Sequence, residues 1–244
     1  MTRWLLIIGS NSDIGIACAR FFASKGFNVF LASRNIELCR KISSDIAIRY
    51  SVQTDYGHID LEDTNSHSVF ISNLQFSPDV TLISAGLMYS QLEAENNFQI
   101  AKKMIYANYL GVLSFSELIV KTLIKNNKGT LIYIGSVAGD RGKKSNYIYG
   151  STKSAIETYT QGLEHRLNHT NIEIILVKPG FVDTKMTIDL NLPKILTAMP
   201  GEVAVEIYSA FINKKKIVYI KPIWRYIMLI IKLIPKFIFN KTSL

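Results

Sequence analysis

The stretch Ile7–Ala17, IIGSNSDIGIA, decides the fold because it joins an apolar strand to a helix through a glycine turn. Gly9 gives the backbone freedom for a tight turn, and Gly15 lets the helix approach the strand closely. A helix that begins there offers free N–H groups and a partial positive charge, which suit a dinucleotide pyrophosphate. The first candidate cofactor-binding residues are therefore Gly9, Asn11, Ser12, Asp13, Ile14 and Gly15.

Asp13 stands where a third glycine is expected in such a turn. Aspartate is an effective helix N-cap and tolerates unusual backbone angles comparatively well. We therefore expect the Asp13 carboxylate to cap the helix and to point away from the phosphates. The alternative is that its charge repels phosphate and that the turn has lost affinity for nucleotides.

Composition bounds the class of protein. The chain has 244 residues, of which 48% are apolar, enough for one large α/β domain or two small ones. Cys18 and Cys39 follow no disulfide or metal spacing, and the four histidines share none either, so we predict no metal site. The apolar run before Gly9 is too short for a signal peptide, and we expect a cytoplasmic protein.

The net charge of +9 is concentrated at the end of the chain. Residues 213–244 contain eight basic residues and no acidic one, which leaves 20 of the 28 basic residues against 19 acidic ones in the rest. The main part of the chain is therefore nearly neutral, and we expect no nucleic-acid partner.

Apolar, β-branched runs alternate with helical patterns along the chain. This pattern predicts strands near 3–8, 27–32, 52–60, 79–84, 130–135, 172–177 and 216–220, and helices near 13–25, 35–49, 65–74, 95–126, 147–169 and 202–212. The alternation predicts an α/β fold with a doubly wound parallel sheet of about seven strands, the Rossmann fold, with helices on both faces. We assign residues 1–212 to a single domain of this fold and residues 213–244 to a basic amphipathic extension.

Arg34 follows the second predicted strand, where ligands of such sheets bind. An acidic residue at this point would bind the ribose hydroxyls of NAD. An arginine instead meets a 2′-phosphate with a charge-assisted hydrogen bond, so Arg34 favours NADP(H) as the cofactor. The alternative is a solvated arginine at a strand end.

The segment 135–153, GSVAGDRGKKSNYIYGSTK, contains the strongest set of candidate catalytic residues. Ser136 follows the fifth strand, and the four-residue spacing of Tyr149 and Lys153 puts both on one face of a helix. We expect the charge of Lys153 to lower the pKa of the Tyr149 phenol toward working pH. Tyr149 would then protonate a carbonyl oxygen that Ser136 orients.

With these motifs the chain resembles the short-chain dehydrogenase/reductase family, and the match covers nearly all of residues 3–212. The resemblance implies that Ser136, Tyr149 and Lys153 are catalytic. It also implies that Asn108, in the segment YANYLG, holds a water molecule that links the lysine to solvent.

The resemblance extends to further cofactor-binding residues. Asp60 and Leu61 match a pair that contacts adenine, and Ala85 and Gly86 lie in Ser84-Ala85-Gly86, which replaces the commoner Asn-Asn-Ala-Gly. A further match is the loop that meets the nicotinamide carboxamide, with Pro179, Gly180, Val182 and Thr184. Tyr149 and Lys153 are implied to bind the cofactor as well. Members of the family are commonly homodimers or homotetramers, and we expect the same here.

Three segments bear on the substrate. The cations of the loop 140–144, DRGKK, would contact an anionic group of the substrate or form a solvated basic loop. Residues 185–200 form an apolar flap, which suits a lipid-bearing ligand or a lid packed on the domain. In the tail, Arg225, Lys232 and Lys236 form a basic stripe opposite a broad apolar face, and Pro235 bends or ends the helix. Residues 221–239 would bind an anionic membrane surface or another subunit, and both readings stay open.

The sequence therefore predicts an NADPH-dependent enzyme that reduces a carbonyl to an alcohol. The catalytic segment and the tail resemble the branch that contains decaprenylphosphoryl-2-keto-erythropentose reductase, which implies a keto-sugar on a polyprenyl phosphate in cell-envelope synthesis. That branch implies a partner oxidase and a location at the inner face of the membrane. Two alternatives remain: a soluble reductase of ketoacyl or small-sugar substrates, and a non-catalytic nucleotide-binding partner of an envelope enzyme.

Overall fold

The computed structural model describes residues 3–188 and 191–242. Positions 189 and 190 of the predicted flap lie outside the described residues. So do positions 1, 2, 243 and 244 at the two ends of the predicted domains.

The described residues form the predicted parallel sheet. The strands are β1 (Trp4–Ile8), β2 (Asn28–Ser33), β3 (Thr54–His58), β4 (Val80–Ile83), β5 (Gly129–Ile134), β6 (Ile172–Lys178), β7 (Phe181–Val182), β8 (Thr197–Ala198) and β9 (Ile217–Tyr219). Seven of them pair in the order β3-β2-β1-β4-β5-β6-β9, and every pairing is parallel. The doubly wound fold is confirmed, and the strand order reverses between β1 and β4. The short strands β7 and β8 pair separately.

The helices cover both faces of this sheet. They are α1 (Asp13–Ala23), α2 (Ile36–Tyr50), α3 (His67–Ser72), α4 (Gln91–Asn96), α5 (Phe98–Ile105), α6 (Gly111–Asn126), α7 (Tyr147–Leu167), α8 (Pro200–Ile212), α9 (Ile223–Leu233) and α10 (Lys236–Phe239). Successive side chains of a strand point to opposite faces. Leu5 and Ile7 of β1 pack with α1, α2 and α8, whereas Leu6 and Ile8 pack with α6 and α7.

The helix predicted over 95–126 is broken near its start. Asn97 has an extended backbone, and its side chain accepts a hydrogen bond from the Gln99 N–H at 3.0 Å, so it ends α4 and caps α5. Beyond it, α5, a π-helical turn over Tyr106–Leu110 and α6 form one helical run. Length and composition alone would let the run Phe98–Asn126 span a membrane, but Phe115, Ile119 and Leu123 of α6 are buried against the sheet.

A buried ion cluster joins the elements that surround the carboxyl end of β6. The ammonium of Lys178 pairs with the carboxylates of Asp140 and, at 2.6 Å, Glu157 of α7. The hydroxyl of Tyr219 in β9 donates to Asp140 at 2.9 Å. Burial opposes the charged ammonium, but the hydrogen bonds to Asp140 and Glu157 outweigh that effect and raise the pKa of Lys178. The cluster therefore ties β6, α7, β9 and the loop after β5 together.

The cluster gives a prediction for stability. Lys178→Met leaves the buried Asp140 carboxylate without its cation, and loss of one partner of a buried pair costs about 3–5 kcal/mol. We expect the free energy of unfolding, measured by chemical denaturation, to fall by that amount. The control is Lys216→Met, which breaks an ion pair with Glu173 whose lysine side chain is 45% exposed. It should cost about 1 kcal/mol or less. Equal losses from the two variants would contradict the role given to the buried cluster.

Candidate active site

A cavity of about 540 Å³ lies along the carboxyl ends of the parallel strands, at the point where the strand order reverses. It is lined by residues that directly follow strands, such as Gly9 after β1, Arg34 after β2 and Ser136 after β5. Of the site residues predicted from the sequence, all but Gly15 and Asn108 line this cavity. Residues that stand far apart in the chain are thus brought to one edge of the sheet.

The glycine turn after β1 lines the cavity. Gly9 has a φ of +78°, and a Cβ there would lie 2.5 Å from the Cα of Ala85, so only glycine fits. Gly15 stands behind the wall, because a Cβ on it would lie 2.9 Å from the Ser12 hydroxyl and 3.0 Å from the Gly9 carbonyl. Gly15 therefore shapes the turn without facing the cavity.

The structure corrects the role predicted for Asp13. Ser12 is the N-cap of α1: its backbone is extended, and its hydroxyl accepts the Gly15 N–H at 3.0 Å. Asp13 is the first residue of α1, and its carboxylate binds a group outside the helix. It accepts the backbone N–H of Lys185 at 2.8 Å, 172 residues further along the chain. The carboxylate is a tie between the glycine turn and the flap, not a cap.

The groups predicted to bind the adenosine line the cavity next to the glycine turn. The Arg34 guanidinium lies 3.5 Å from Glu62, and both side chains line the cavity. The amide of Asn11 donates to the Ser33 hydroxyl at 2.5 Å and to the Asn35 carbonyl at 2.9 Å, so it braces the turn against the end of β2. Our sequence reasoning missed Glu62, although it follows directly on the Asp60-Leu61 pair. Asp60 accepts the Glu62 N–H at 3.0 Å.

Ser136, Tyr149 and Lys153 meet in the middle of the cavity. The Ser136 hydroxyl accepts the N–H of Ala138 at 3.1 Å, which orients it at the end of β5. The Lys153 ammonium donates to the Ile134 carbonyl at 2.9 Å and lies 5.7 Å from the centre of the Tyr149 ring. The four-residue spacing on α7 therefore brings the lysine and the tyrosine to one face, as predicted.

The pKa shift predicted for Tyr149 has the wrong sign. Burial raises the pKa of Tyr149 to about 12, and a hydrogen bond with Ser136 opposes this only in part. Burial also lowers the pKa of Lys153 to about 8. Desolvation disfavours the charged form of each group and is the main cause of both shifts. At neutral pH both groups therefore carry their protons.

Asn108 lies in the π-helical turn beside the cavity and does not line it. Its side-chain oxygen accepts the Leu87 N–H at 2.6 Å, and its amide donates to the Leu87 carbonyl at 2.8 Å and to the Thr152 hydroxyl at 3.2 Å. Both ends of the carboxamide are thus bound to protein groups. In this arrangement Asn108 fixes the loop after β4 against α7.

The loop Pro179–Thr184 contributes several residues to the cavity wall. A Cβ on Gly180 would lie 2.0 Å from the indole of Trp224, so the tail helix packs directly on this loop. The indole N–H donates to the Leu196 carbonyl at 3.0 Å, and Trp224 lines the cavity. Sequence reasoning missed Trp224, because its contact with Gly180 joins two separate segments and leaves no local pattern in the sequence.

The three cations of the loop 140–144 do not act together. Arg141 donates to the carbonyls of Ile231, Lys232 and Ile234 and stacks on Phe239, with its guanidinium 3.8 Å from the ring centre. It thereby caps α9. Of the two lysines that follow, Lys143 lines the cavity and Lys144 is exposed and stands outside its lining. The prediction that the whole loop contacts an anion is therefore wrong for Arg141.

The donors along the cavity fit a phosphorylated dinucleotide. The N-terminus of α1 and the close approach at Gly9 form a cradle for phosphate, and Arg34 and Lys153 add positive charge farther along the same cavity. The Asp13 carboxylate, which would oppose phosphate, is held by the Lys185 N–H.

Comparison with known proteins agrees with this geometry. A family model described as short chain dehydrogenase matches residues 3–194. An uncharacterized oxidoreductase of Mycobacterium tuberculosis is 27% identical over 240 residues, covering 97% of this chain and 96% of its own. One of Staphylococcus aureus is 29% identical over 213 residues, covering 87% and 92%. The structure of a short-chain dehydrogenase from Sphingobium yanoikuyae in complex with NADPH superposes with a TM-score of 0.81 at 18% identity, covering 96% and 97%.

The tie between Asp13 and Lys185 can be tested by proteolysis. Asp13→Ala removes the acceptor of the Lys185 N–H and should loosen the turn at 184–187. A hydrogen bond to a charged group contributes about 1.5–3 kcal/mol, so we expect trypsin to cleave after Lys185 at least about tenfold faster. Asp13→Asn keeps an acceptor oxygen and should be cleaved more slowly than Asp13→Ala. The control is Asp183→Ala, which changes an exposed carboxylate two residues from Lys185. Cleavage after Lys185 that is unchanged in Asp13→Ala would contradict the tie.

Proposed function

Because the chain belongs to the short-chain dehydrogenase family, we propose that it is an NADPH-dependent oxidoreductase that reduces a carbonyl to an alcohol. The observation that carries the proposal is the meeting of Ser136, Tyr149 and Lys153 in the wall of one cavity. A proton donor, a hydroxyl that orients an oxygen and a buried cation are what the reduction of a carbonyl requires.

Each of the three residues has a distinct part in the proposed reaction. Tyr149 gives its proton to the carbonyl oxygen, and its raised pKa of about 12 keeps that proton available at neutral pH. Ser136 donates a hydrogen bond to the same oxygen. Lys153, whose pKa of about 8 leaves it mostly protonated at pH 7, stabilises the phenolate that remains and would hold the ribose of the cofactor. Bound NADPH would supply the hydride.

Arg34 supports NADP(H) over NAD(H). Its guanidinium lines the cavity and its side chain is more than half exposed, so a 2′-phosphate could reach it. Glu62, 3.5 Å away, orients the guanidinium. The related structure from Sphingobium yanoikuyae carries NADPH, in keeping with this choice.

The proposed proton donor is tested by Tyr149→Phe. NADPH oxidation would be followed with an aqueous or a lipid extract of the source cells as the supply of carbonyl compounds. Loss of a general acid costs about 100-fold or more in rate, and we expect at least that loss with little change in NADPH affinity. The control is Tyr147→Phe, because Tyr147 is exposed and stands outside the cavity lining. Full activity of Tyr149→Phe would overturn the assignment, and a preference for NADH in the same assay would overturn the choice of cofactor.

For the substrate we propose a keto-sugar carried on a polyprenyl phosphate, used in the synthesis of a cell-envelope glycan. The support is the apolar surface next to the cavity: Met186, Ile188, Ile195 and Met199 of the flap are all exposed. NADPH consumption with the lipid extract alone supports this substrate. Consumption with the aqueous extract alone favours a soluble ketoacyl or small-sugar reductase. NADPH binding without turnover favours a nucleotide-binding partner of an envelope enzyme.

The tail supports a membrane location for this substrate. The inner face of α9 is buried through Trp224, Met228 and Ile231. Its outer face exposes a cluster of large apolar side chains, with α10 adding two more: Ile223, Tyr226, Leu229, Ile230, Leu233, Phe237 and Ile238. Arg225 and Lys232 are exposed along one edge of that face. An apolar face edged by cations suits the headgroup layer of an anionic membrane.

Membrane binding is tested with point variants, because a truncated chain would lose β9 and the cavity residue Trp224. We expect the intact protein to bind vesicles of phosphatidylglycerol better than vesicles of phosphatidylcholine, and to bind less well at high salt. Leu229→Gln with Leu233→Gln should weaken vesicle binding about tenfold or more, since each removes apolar area that the membrane would bury. The control pair is Ile48→Gln with Phe98→Gln, which changes exposed apolar residues on α2 and α5. A dimer that dissociates in the tail variants, without vesicle binding by the intact chain, would assign the face to a subunit contact.

A further inference from the structure

Asn146 immediately precedes α7 and does not cap it. An asparagine in this position normally accepts an N–H of the first helical turn. Here the side chain of Asn146 makes no such bond. The N–H of Ile148 instead donates to the side-chain oxygen of Gln91, at 3.1 Å, from the start of α4. Because Gln91 takes over the cap, the carboxamide of Asn146 is free for another partner.

Asn146 also belongs to the wall of the active-site cavity. It stands three residues before Tyr149. The side-chain oxygen is buried and lacks a hydrogen-bond donor within the described part of the chain. A buried acceptor without a donor is unfavourable. Rotation about the Cβ–Cγ bond would turn this oxygen to the cavity without breaking a side-chain hydrogen bond that the structure contains.

Lys143 lies on the same part of the cavity wall and carries an unpaired charge. Its side chain is partly buried, and burial lowers the pKa of the ammonium, with Asp140 opposing the shift. Asp140 already binds Lys178 and Tyr219. Among residues 3–188 and 191–242, no carboxylate forms an ion pair with Lys143, whereas Lys178 in the cluster beneath has two. A partly desolvated cation of this kind is stabilised by an anion from a ligand.

We propose that Lys143 and Asn146 form a polar subsite for a hydroxylated carbonyl compound that carries an anionic group. Lys143 binds the anion, a phosphate or a carboxylate, and Asn146 accepts a hydrogen bond from a substrate hydroxyl. This inference rests on the proposed function, because the carbonyl of that compound is the group that Tyr149 would protonate.

Binding, rather than turnover, tests the subsite. All variants are made in a Tyr149→Phe background with saturating NADP⁺, so that the probes are not oxidised. The probes are ribitol, ribitol 5-phosphate, ribonate and pentyl phosphate, which separate hydroxyl groups, phosphate and carboxylate. Dissociation constants from calorimetry report each contribution, and they do not depend on whether Tyr149 is the proton donor. Failure of the subsite is thereby distinguished from failure of the proposed reaction.

The two residues should affect different probes. Lys143→Met should weaken ribitol 5-phosphate and pentyl phosphate about tenfold or more and leave ribitol unchanged, as expected for a charge-assisted contact. Lys144→Met is the matched control and should change nothing. Asn146→Ala should weaken ribitol and ribitol 5-phosphate about fivefold and leave pentyl phosphate unchanged. Its melting temperature should match that of its parent, because Gln91 caps α7.

Ribitol 5-phosphate and ribonate identify the preferred anion through their relative affinities. Three results would overturn the proposal: no binding of either anionic probe to the parent protein, equal losses from Lys143→Met and Lys144→Met, or equal losses of all probes from Asn146→Ala.

Discussion

The buried cluster around Lys178 is the constraint on which the arrangement of the active site depends. One ammonium at the end of β6 holds Asp140 from the loop that follows Ser136, and Glu157 from the helix that carries Tyr149 and Lys153. Through Asp140 it also holds Tyr219 of β9. Two carboxylates around one buried lysine are costly to desolvate, which offsets much of their attraction. The main effect of the cluster is therefore to fix the relative positions of the elements that it joins. It fixes the serine loop and the helix of the tyrosine relative to the strand that begins the Pro179–Gly180 loop.

Asp13 and Asn146 lie at the N-termini of α1 and α7, but other residues cap these helices. Ser12 caps α1, which frees Asp13 to bind the Lys185 N–H across the cavity. Gln91 supplies a cap to α7, which frees the carboxamide of Asn146. In both cases a residue type that often caps the N-terminus of a helix does not do so here, because another residue accepts the N–H group. Both residues line the cavity, where Asp13 holds the flap and Asn146 keeps a side-chain oxygen without a donor among the described residues.

The sequence predicted the sheet and most of the cavity lining for one physical reason. In a parallel sheet the residues that follow the strands meet at one edge, so Gly9, Arg34 and Ser136 could be placed from strand positions alone. The contacts that it did not predict join residues with no local pattern: Asp13 with Lys185, Arg141 with the end of α9, and Trp224 with Gly180. The sign of the Tyr149 shift was missed because burial depends on the whole fold, whereas the charge of Lys153 is visible in the sequence.

The tail is more closely coupled to the cavity than its composition indicated. β9 completes the sheet next to β6, and the next helix sets Trp224 against Gly180 and the carbonyl of Leu196. The same helix presents Tyr226, Leu229 and Leu233 on its other side. A surface that binds this outer face is therefore separated from the cavity by the thickness of a single helix, about 10 Å. Arg141 also fixes the end of that helix to the loop that follows Ser136. The substrate proposed above, with its carbonyl at Tyr149 and its lipid chain in a membrane, would have to span only the thickness of this helix.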